Sequence, residues 1–187
     1  MQLRVLVPFG LAYFLSYLFR VVIAVLAPDL AADLRIGPSD LGLLTSAYFI
    51  SFAAFQLPLG VLLDRFGPRS IAAALLALAA VGALAFGNAA GILGLSLGRA
   101  LIGLGVSSGY MAAIKAYTLW FPLHQWPRIN GLHLAAGGCG ALSATLPVEL
   151  ALEHTDWRGV FMLLAAASAA VAALIFWGVP ERRPAAG

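Results

Sequence analysis

An all-α integral membrane protein with six membrane-crossing helices is the fold class this sequence predicts, and three observations carry that reading. Hydrophobic residues make up 62% of the 187 positions and charged residues only 10%, whereas about a quarter of a soluble domain is charged. Mean hydropathy is +0.96. The apolar residues also gather into six runs poor in charge, at residues 5–27, 41–63, 71–88, 92–119, 129–150 and 160–179. Each is close to the length of a helix that crosses a ~30 Å hydrocarbon layer at ~1.5 Å per residue. A water-soluble fold is excluded on these grounds. The net charge of +3 would suggest nucleic acid in a soluble chain. Here the basic residues stand mostly at the ends of the runs, so the lipid bilayer is the expected partner and nucleic acid is not.

The first run follows only Met1, Gln2, Leu3 and Arg4, and is too long for the core of a cleavable signal, so it is expected to be a span. Pro28 and Asp29 are expected to end it. Gly37, Pro38, Ser39 and Asp40 open the second span, with Ser39 as its cap. A charged turn at residues 64–69 leads into the third. Gly87, Asn88 and Gly91 make a very short turn into the fourth, and residues 121–128 form the longest polar and aromatic loop. Residues 154–159 join the last two spans. Trp120, Trp126, Trp157 and Trp177 fall at span ends, where indole rings favour the membrane interface. With the amino terminus inside, Arg4, Arg65, Arg69, Arg128, Arg182 and Arg183 are cytoplasmic. Arg35 and Arg158 are then outside, among Asp29, Asp33, Asp40, Glu153 and Asp156. The basic excess therefore predicts a cell-membrane protein with both termini in the cytoplasm.

The turn after the second span carries a specific pattern. Gly60, Asp64, Arg65, Gly67 and Arg69 match the Gly-x-x-x-Asp-Arg-x-Gly-Arg-Arg loop between the second and third spans of major facilitator superfamily transporters, which this chain resembles. Pro68 departs from the first of the paired basic positions. In the fourth run, Arg99, Gly103 and Gly105 resemble the family's Arg-x-x-x-Gly-x-Gly helix motif, and the stretch from Trp157 to Phe161 adds to the likeness at the sixth. The resemblance covers essentially the whole chain. It implies two inverted three-helix repeats forming half of a twelve-helix transporter fold, with residues 1–179 as the bundle. Residues 180–187 would then be a cytoplasmic tail or the start of the central linker. The turns at residues 64–67 and 156–159 would be the echo of one repeat in the other.

The resemblance further implies alternating-access transport of a small solute, with the loop of Gly60, Asp64, Arg65, Gly67 and Arg69 as a cytoplasmic latch. A second six-helix half is implied too, as another chain or a missing carboxy-terminal half, because a lone half would expose its polar face to lipid. A homodimer would double the intramembrane arginines and concentrate their repulsion, so a different partner or a missing half is expected. Gly131, Gly137, Gly138 and Gly140 allow close helix approach but do not reproduce the family's Gly-Pro antiporter motif. Two other readings remain: a non-transporting membrane subunit or scaffold, and a truncated fragment of a longer transporter. A membrane enzyme is disfavoured, since no catalytic residue set, cofactor loop or metal cluster is seen and Cys139 is the only cysteine.

The candidate solute site centres on Arg20, ~6 Å along a helix from the middle of the first span. A guanidinium at that depth needs a polar cavity, a partner or a route to the headgroups. Tyr13, Tyr17 and Arg20 are spaced i, i+4, i+7 on one helix face, with Ser16 beside them. One cation among phenols suits a carboxylate or phosphate, so a small anionic solute is expected. Arg99 lies on the same side of the bilayer and is a second cation for that anion, a tie between the fourth and first helices, or both. Tyr110 falls about three turns further along nearly the same face. Tyr48 and Gln56 are candidates on the second span, which Pro58 would bend. Lys115 is expected to snorkel or form an ion pair near the cytoplasm. Glu149 is a proton relay, an interfacial group or a partner of Arg158. His133 is expected to be a helix-contact residue.

Overall fold

In the computed structural model, residues 2–180 are described, and they contain helices and no strand. The predicted tail, with Arg182 and Arg183, lies outside the described residues apart from Pro180. The helices are α1 (Leu3–Leu34), α2 (Pro38–Phe66), α3 (Pro68–Gly87), α4 (Ile92–Val106), α5 (Met111–Trp120), α6 (Trp126–Ser143), α7 (Leu146–Leu152) and α8 (Trp157–Ala173). A wide π-helical turn, Leu174–Gly178, extends α8. Grouped by length and apolarity they make six spans, with α4–α5 forming the fourth and α6–α7 the fifth.

Two helix starts and stops differ from expectation. Pro28 does not end α1, which continues to Leu34 and stops where Arg35 turns left-handed at φ 53°. A proline inside a helix removes one hydrogen bond, and here that loss is tolerated within a helix packed along much of its length. Ser39 is not the cap of α2. Gly37 holds that position with Pro38 at the first helical site, and the Asp40 carboxylate accepts from the Gly37 N–H at 2.9 Å. The α2–α3 turn is tighter than a loop: Gly67, at φ 80°, ends one helix and begins the next. Only a residue without a Cβ adopts that conformation readily.

α3 packs extensively against α4 and α8, α1 along α6, and α2 along α4. The spans of α1, α3 and α4–α5 are each 56% buried over their most apolar window, against 17% for α2 and 22% for α6–α7. The glycines of α4 explain its central place. A Cβ at Gly105 would lie 2.6 Å from the Leu75 carbonyl oxygen of α3, and one at Gly98 would lie 2.8 Å from the Phe86 nitrogen. Both face α3, whereas Gly103 faces the Tyr48 carbonyl of α2. The Gly103–Gly105 pair therefore lets one helix lie flush against two neighbours, as small residues do in membrane bundles.

Gly105→Val is expected to lower stability by about 1–3 kcal/mol through overpacking, seen as a lower unfolding midpoint in detergent. Gly60→Ala should not lower that midpoint, because nothing lies within 4 Å of the added methyl and alanine is the better helix former.

Candidate functional site

The fourth span is interrupted at Ser107, Ser108, Gly109 and Tyr110, between α4 and α5. Ser107 bends its hydroxyl back to the Leu104 carbonyl at 2.7 Å, a bond that competes with helix continuation. The break is a tightened turn, with the Ser107 and Gly109 N–H groups bonding to carbonyls three residues back, and carbonyls loosened from the helix need partners within the protein. The Ser16 hydroxyl of α1 donates to the Val106 carbonyl at 3.4 Å, and the Gln56 amide of α2 donates to the Ser107 carbonyl at 3.1 Å. Gln56 thus supports the break. The run Ser107-Ser108-Gly109 inside an apolar stretch was the sequence signal for it.

The two intramembrane arginines have different surroundings. Arg99 is 0% exposed, donates to the Phe19 carbonyl at 2.9 Å and lies 4.4 Å above the Tyr48 ring. Tyr48 is equally buried and donates to the Ser16 carbonyl at 3.3 Å. The tie between the fourth and first helices is therefore present, and α2 joins it through Tyr48. Arg20 stands apart, half-buried between aromatic rings of α1 and α2. Its guanidinium carbon is 4.6 Å from the Tyr17 ring centre, 5.3 Å from Phe52 and 5.9 Å from Phe49. Its buried Nε, like that of Arg99, has no hydrogen-bond partner, and among the described residues no carboxylate pairs with it.

Tyr13, Tyr17 and Arg20 do share a face. The Tyr13 hydroxyl donates to that of Tyr17 at 3.3 Å, and their rings meet edge-on at 4.9 Å. Tyr110 closes on Tyr13 with ring centres 5.9 Å apart and donates to Asn130 at 3.4 Å. His133 joins this cluster as a helix contact, hydrogen-bonded to Tyr117 at 3.0 Å and stacked on Tyr13 at 4.3 Å. An open pocket of about 530 Å³ lies beside Tyr110 and Tyr117, bounded by Ile114, Trp126 and Asn130. Sequence spacing linked Tyr13 to Arg20 but not to His133, because the contact crosses from α1 to α6.

At one end of the bundle, Asp64 forms an ion pair with Lys115 of α5. Arg69 donates to the Phe176 carbonyl at 2.7 Å and lies over the Phe176 ring at 5.1 Å. Arg65 lies over the Phe66 ring, and Gly60 faces open space. At the other end, Arg158 is paired with Asp33 at 3.5 Å and donates to the Gly87 and Ala89 carbonyls at 3.0 and 2.8 Å. The expected partner Glu149 is instead exposed on α7. Arg158 turns toward α1 because the carbonyls ending α3 and the Asp33 carboxylate converge there. Trp157 is likewise not an interface residue: it is 3% exposed and donates to Asp33 at 3.1 Å. Asp156 caps α8 by accepting from the Gly159 N–H at 2.8 Å, whereas Asp64 lies in the last turn of α2, so the two charged turns differ in local geometry.

The family model for the Major Facilitator Superfamily matches residues 9–187. The chain belongs to that superfamily. It is 33% identical over 160 residues to the probable sulfoacetate transporter SauU of Cupriavidus necator, covering 84% of this chain and 37% of that protein. It is 31% identical over 168 residues to the uncharacterized transporter YybO of Bacillus subtilis, covering 90% and 38%. With the hexuronate transporter of Escherichia coli it shares 30% identity over 171 residues, covering 89% and 39%. The chain thus spans less than two-fifths of the length of these relatives. All three relatives are named as transporters, and the six long apolar helices mark this chain as a multi-pass membrane protein.

The contrast between the arginines is open to measurement. Arg99→Lys should cost about 1–3 kcal/mol, since an ammonium loses the ring stacking and the fixed bond to Phe19 while its charge stays buried. Arg20→Lys should cost less than half as much. Unfolding midpoints of the two variants in one detergent would show the difference.

Proposed function

We propose that this chain carries a small anionic solute across the cell membrane by alternating access, with Arg20 holding the anionic group. One observation carries the reading: Arg20 is a bundle cation set among aromatic rings, with a buried Nε lacking an acceptor and no carboxylate beside it. A bound carboxylate or sulfonate would supply the missing charge and hydrogen bonds. Sulfoacetate and hexuronates, the solutes in the names of two relatives, are both anions. Tyr13, Tyr17 and Tyr110 would line the same site. Arg99 and Tyr48 would act behind it, fixing the helices that present Arg20.

The inverted three-helix repeat belongs to the same proposal. Exchange of the first three spans with the last three turns the α1–α6 pairing into α4–α2 and returns α3–α8 to itself, and all three pairings are extensive. The cycle would need a second six-helix unit, and the little-buried α2 and α6–α7 are the surfaces it would cover. With the Asp64 end in the cytoplasm, as loop charge suggests, the Asp64–Lys115 pair and the Arg69–Phe176 bond would be the contacts from which a latch engages that unit.

Arg20→Ala is expected to reduce binding of sulfoacetate and glucuronate by at least about tenfold while insertion is retained, and Arg20→Lys should restore only part of it. Equal affinity in the alanine variant, measured by calorimetry in nanodiscs, would overturn the assignment. Asp64→Asn should slow uptake into vesicles more than it weakens binding. Unchanged uptake rates would count against the latch. The mass of the solubilised particle, alone and with candidate partner chains, tests the second unit; a lone monomer that transports unaided would refute it.

A further inference from the structure

Among the described residues, every carboxylate lies away from the interior. Asp29, Asp33, Asp64, Glu149, Glu153 and Asp156 are exposed, and Asp40 sits in the first turn of α2. The buried polar side chains are Ser16, Arg99, Ser107, Ser108, His133 and Ser168. Of these, only His133 is of a type whose unperturbed side chain changes charge between about pH 5 and 8. It is 1% exposed, and its Nε2 is buried with no hydrogen-bond partner. An orphaned ring nitrogen in an apolar bundle is costly and calls for a reason.

His133 is also connected to the anion site. Its Nδ1 is 3.0 Å from the Tyr117 hydroxyl of α5. Its ring stacks on Tyr13 of α1 at 4.3 Å and 19°. Tyr13 donates to Tyr17, and Tyr17 lies against the Arg20 guanidinium. The titratable and charged groups facing it are therefore Tyr13 on α1, with Tyr17 and Arg20 behind, Tyr110 in the break between α4 and α5, and Tyr117 on α5. Along α6 the nearest charge is Arg128, which is exposed and more than a turn away. No carboxylate among the described residues faces the imidazole to take up or hold a proton in its place.

We propose that His133 is the proton-binding site of this chain and that its proton binds together with the anion at Arg20. This rests on the reading of Arg20 as the anion site. In the tautomer whose Nδ1–H donates to Tyr117, the Nε2 lone pair is bare and accepts the proton, and the imidazole becomes a cation. Without an anion, that cation and Arg20 repel across Tyr13 and Tyr17. With an anion at Arg20, each cation is attracted to it, more strongly in a low-dielectric interior than in water. By linkage the effect is reciprocal: the proton tightens anion binding by the same factor as the anion tightens proton binding. Anion affinity therefore rises as pH falls through the His133 titration.

The test uses the natural polypeptide in lipid nanodiscs, ¹⁵N-labelled at histidine, with the His133 signal assigned by its loss in His133→Gln. Titration from pH 5 to 8 is followed with and without saturating sulfoacetate, and sulfoacetate affinity is measured across the same range. The expected result is a His133 midpoint that moves upward with sulfoacetate. Affinity should be about fivefold or more tighter at the acid end, with that dependence lost in His133→Gln. Tyr117→Phe keeps the imidazole and should keep the pH dependence with a displaced midpoint, which separates a proton site from a packing role. A His133 that does not titrate in this range, or equal pH dependence in His133→Gln, overturns the proposal while leaving Arg20 as the anion site. Sulfoacetate binding that is unaffected by Arg20→Ala overturns the Arg20 reading and this coupling with it.

Discussion

The bond from Arg99 to the Phe19 carbonyl is the constraint around which the bundle is organised. A guanidinium fully buried among apolar helices has to be given acceptors and a polarisable surface, and water cannot supply them. The acceptor comes from α1 and the aromatic face from Tyr48 of α2. Three helices are thereby fixed at one depth. About two turns further along the fourth span, the Ser16 and Gln56 bonds hold the interrupted turn between α4 and α5. α4 can come close enough for these contacts because Gly98, Gly103 and Gly105 remove the side chains that would hold it off.

This arrangement divides labour between two like residues. Arg99 is turned to structure, since it is fully buried and its bond and its stacking are internal. Arg20 is positioned by what surrounds it, one helix turn beyond the carbonyl-bonding Ser16, with rings on its flanks and no acid opposite. Aromatic faces hold a cation weakly enough to leave it able to accept a better partner. The break at residues 107–110 lies close by: a Cβ at Gly109 would meet Ser16 at 3.5 Å and Tyr13 at 3.6 Å.

The charged ends act as clamps of different kinds. Asp33 and Arg158 tie α1, the α3–α4 turn and α8 together by several bonds to one guanidinium. Asp64 and Lys115 join α2 to α5 by a single exposed pair. Exposed pairs contribute up to about 1 kcal/mol, so the Asp64 end is the more readily opened of the two.

Hydropathy alone determined the number of spans, their order and most of their limits, because the cost of unpaired charge in lipid leaves little choice over ~20 residues. The loop with Gly60, Asp64 and Gly67 was legible for the same reason: a positive-φ turn between two spans demands a glycine. The interruption of the fourth span was not read, although Ser107-Ser108-Gly109 marked it, since polar residues of that size also sit within intact helices. Nor could periodicity separate Arg20 from Arg99, as both are single cations in apolar runs. Their difference lies in burial and neighbours brought in by other helices: Arg99 is fully buried and bonded to a carbonyl 80 residues away, whereas Arg20 is half-buried among rings of α1 and α2. The pairing of Arg158 with Asp33 and the meeting of His133 with Tyr13 are of the same kind. Composition and spacing act along one helix; which groups are satisfied, and which are left to bind something else, is decided only where helices meet.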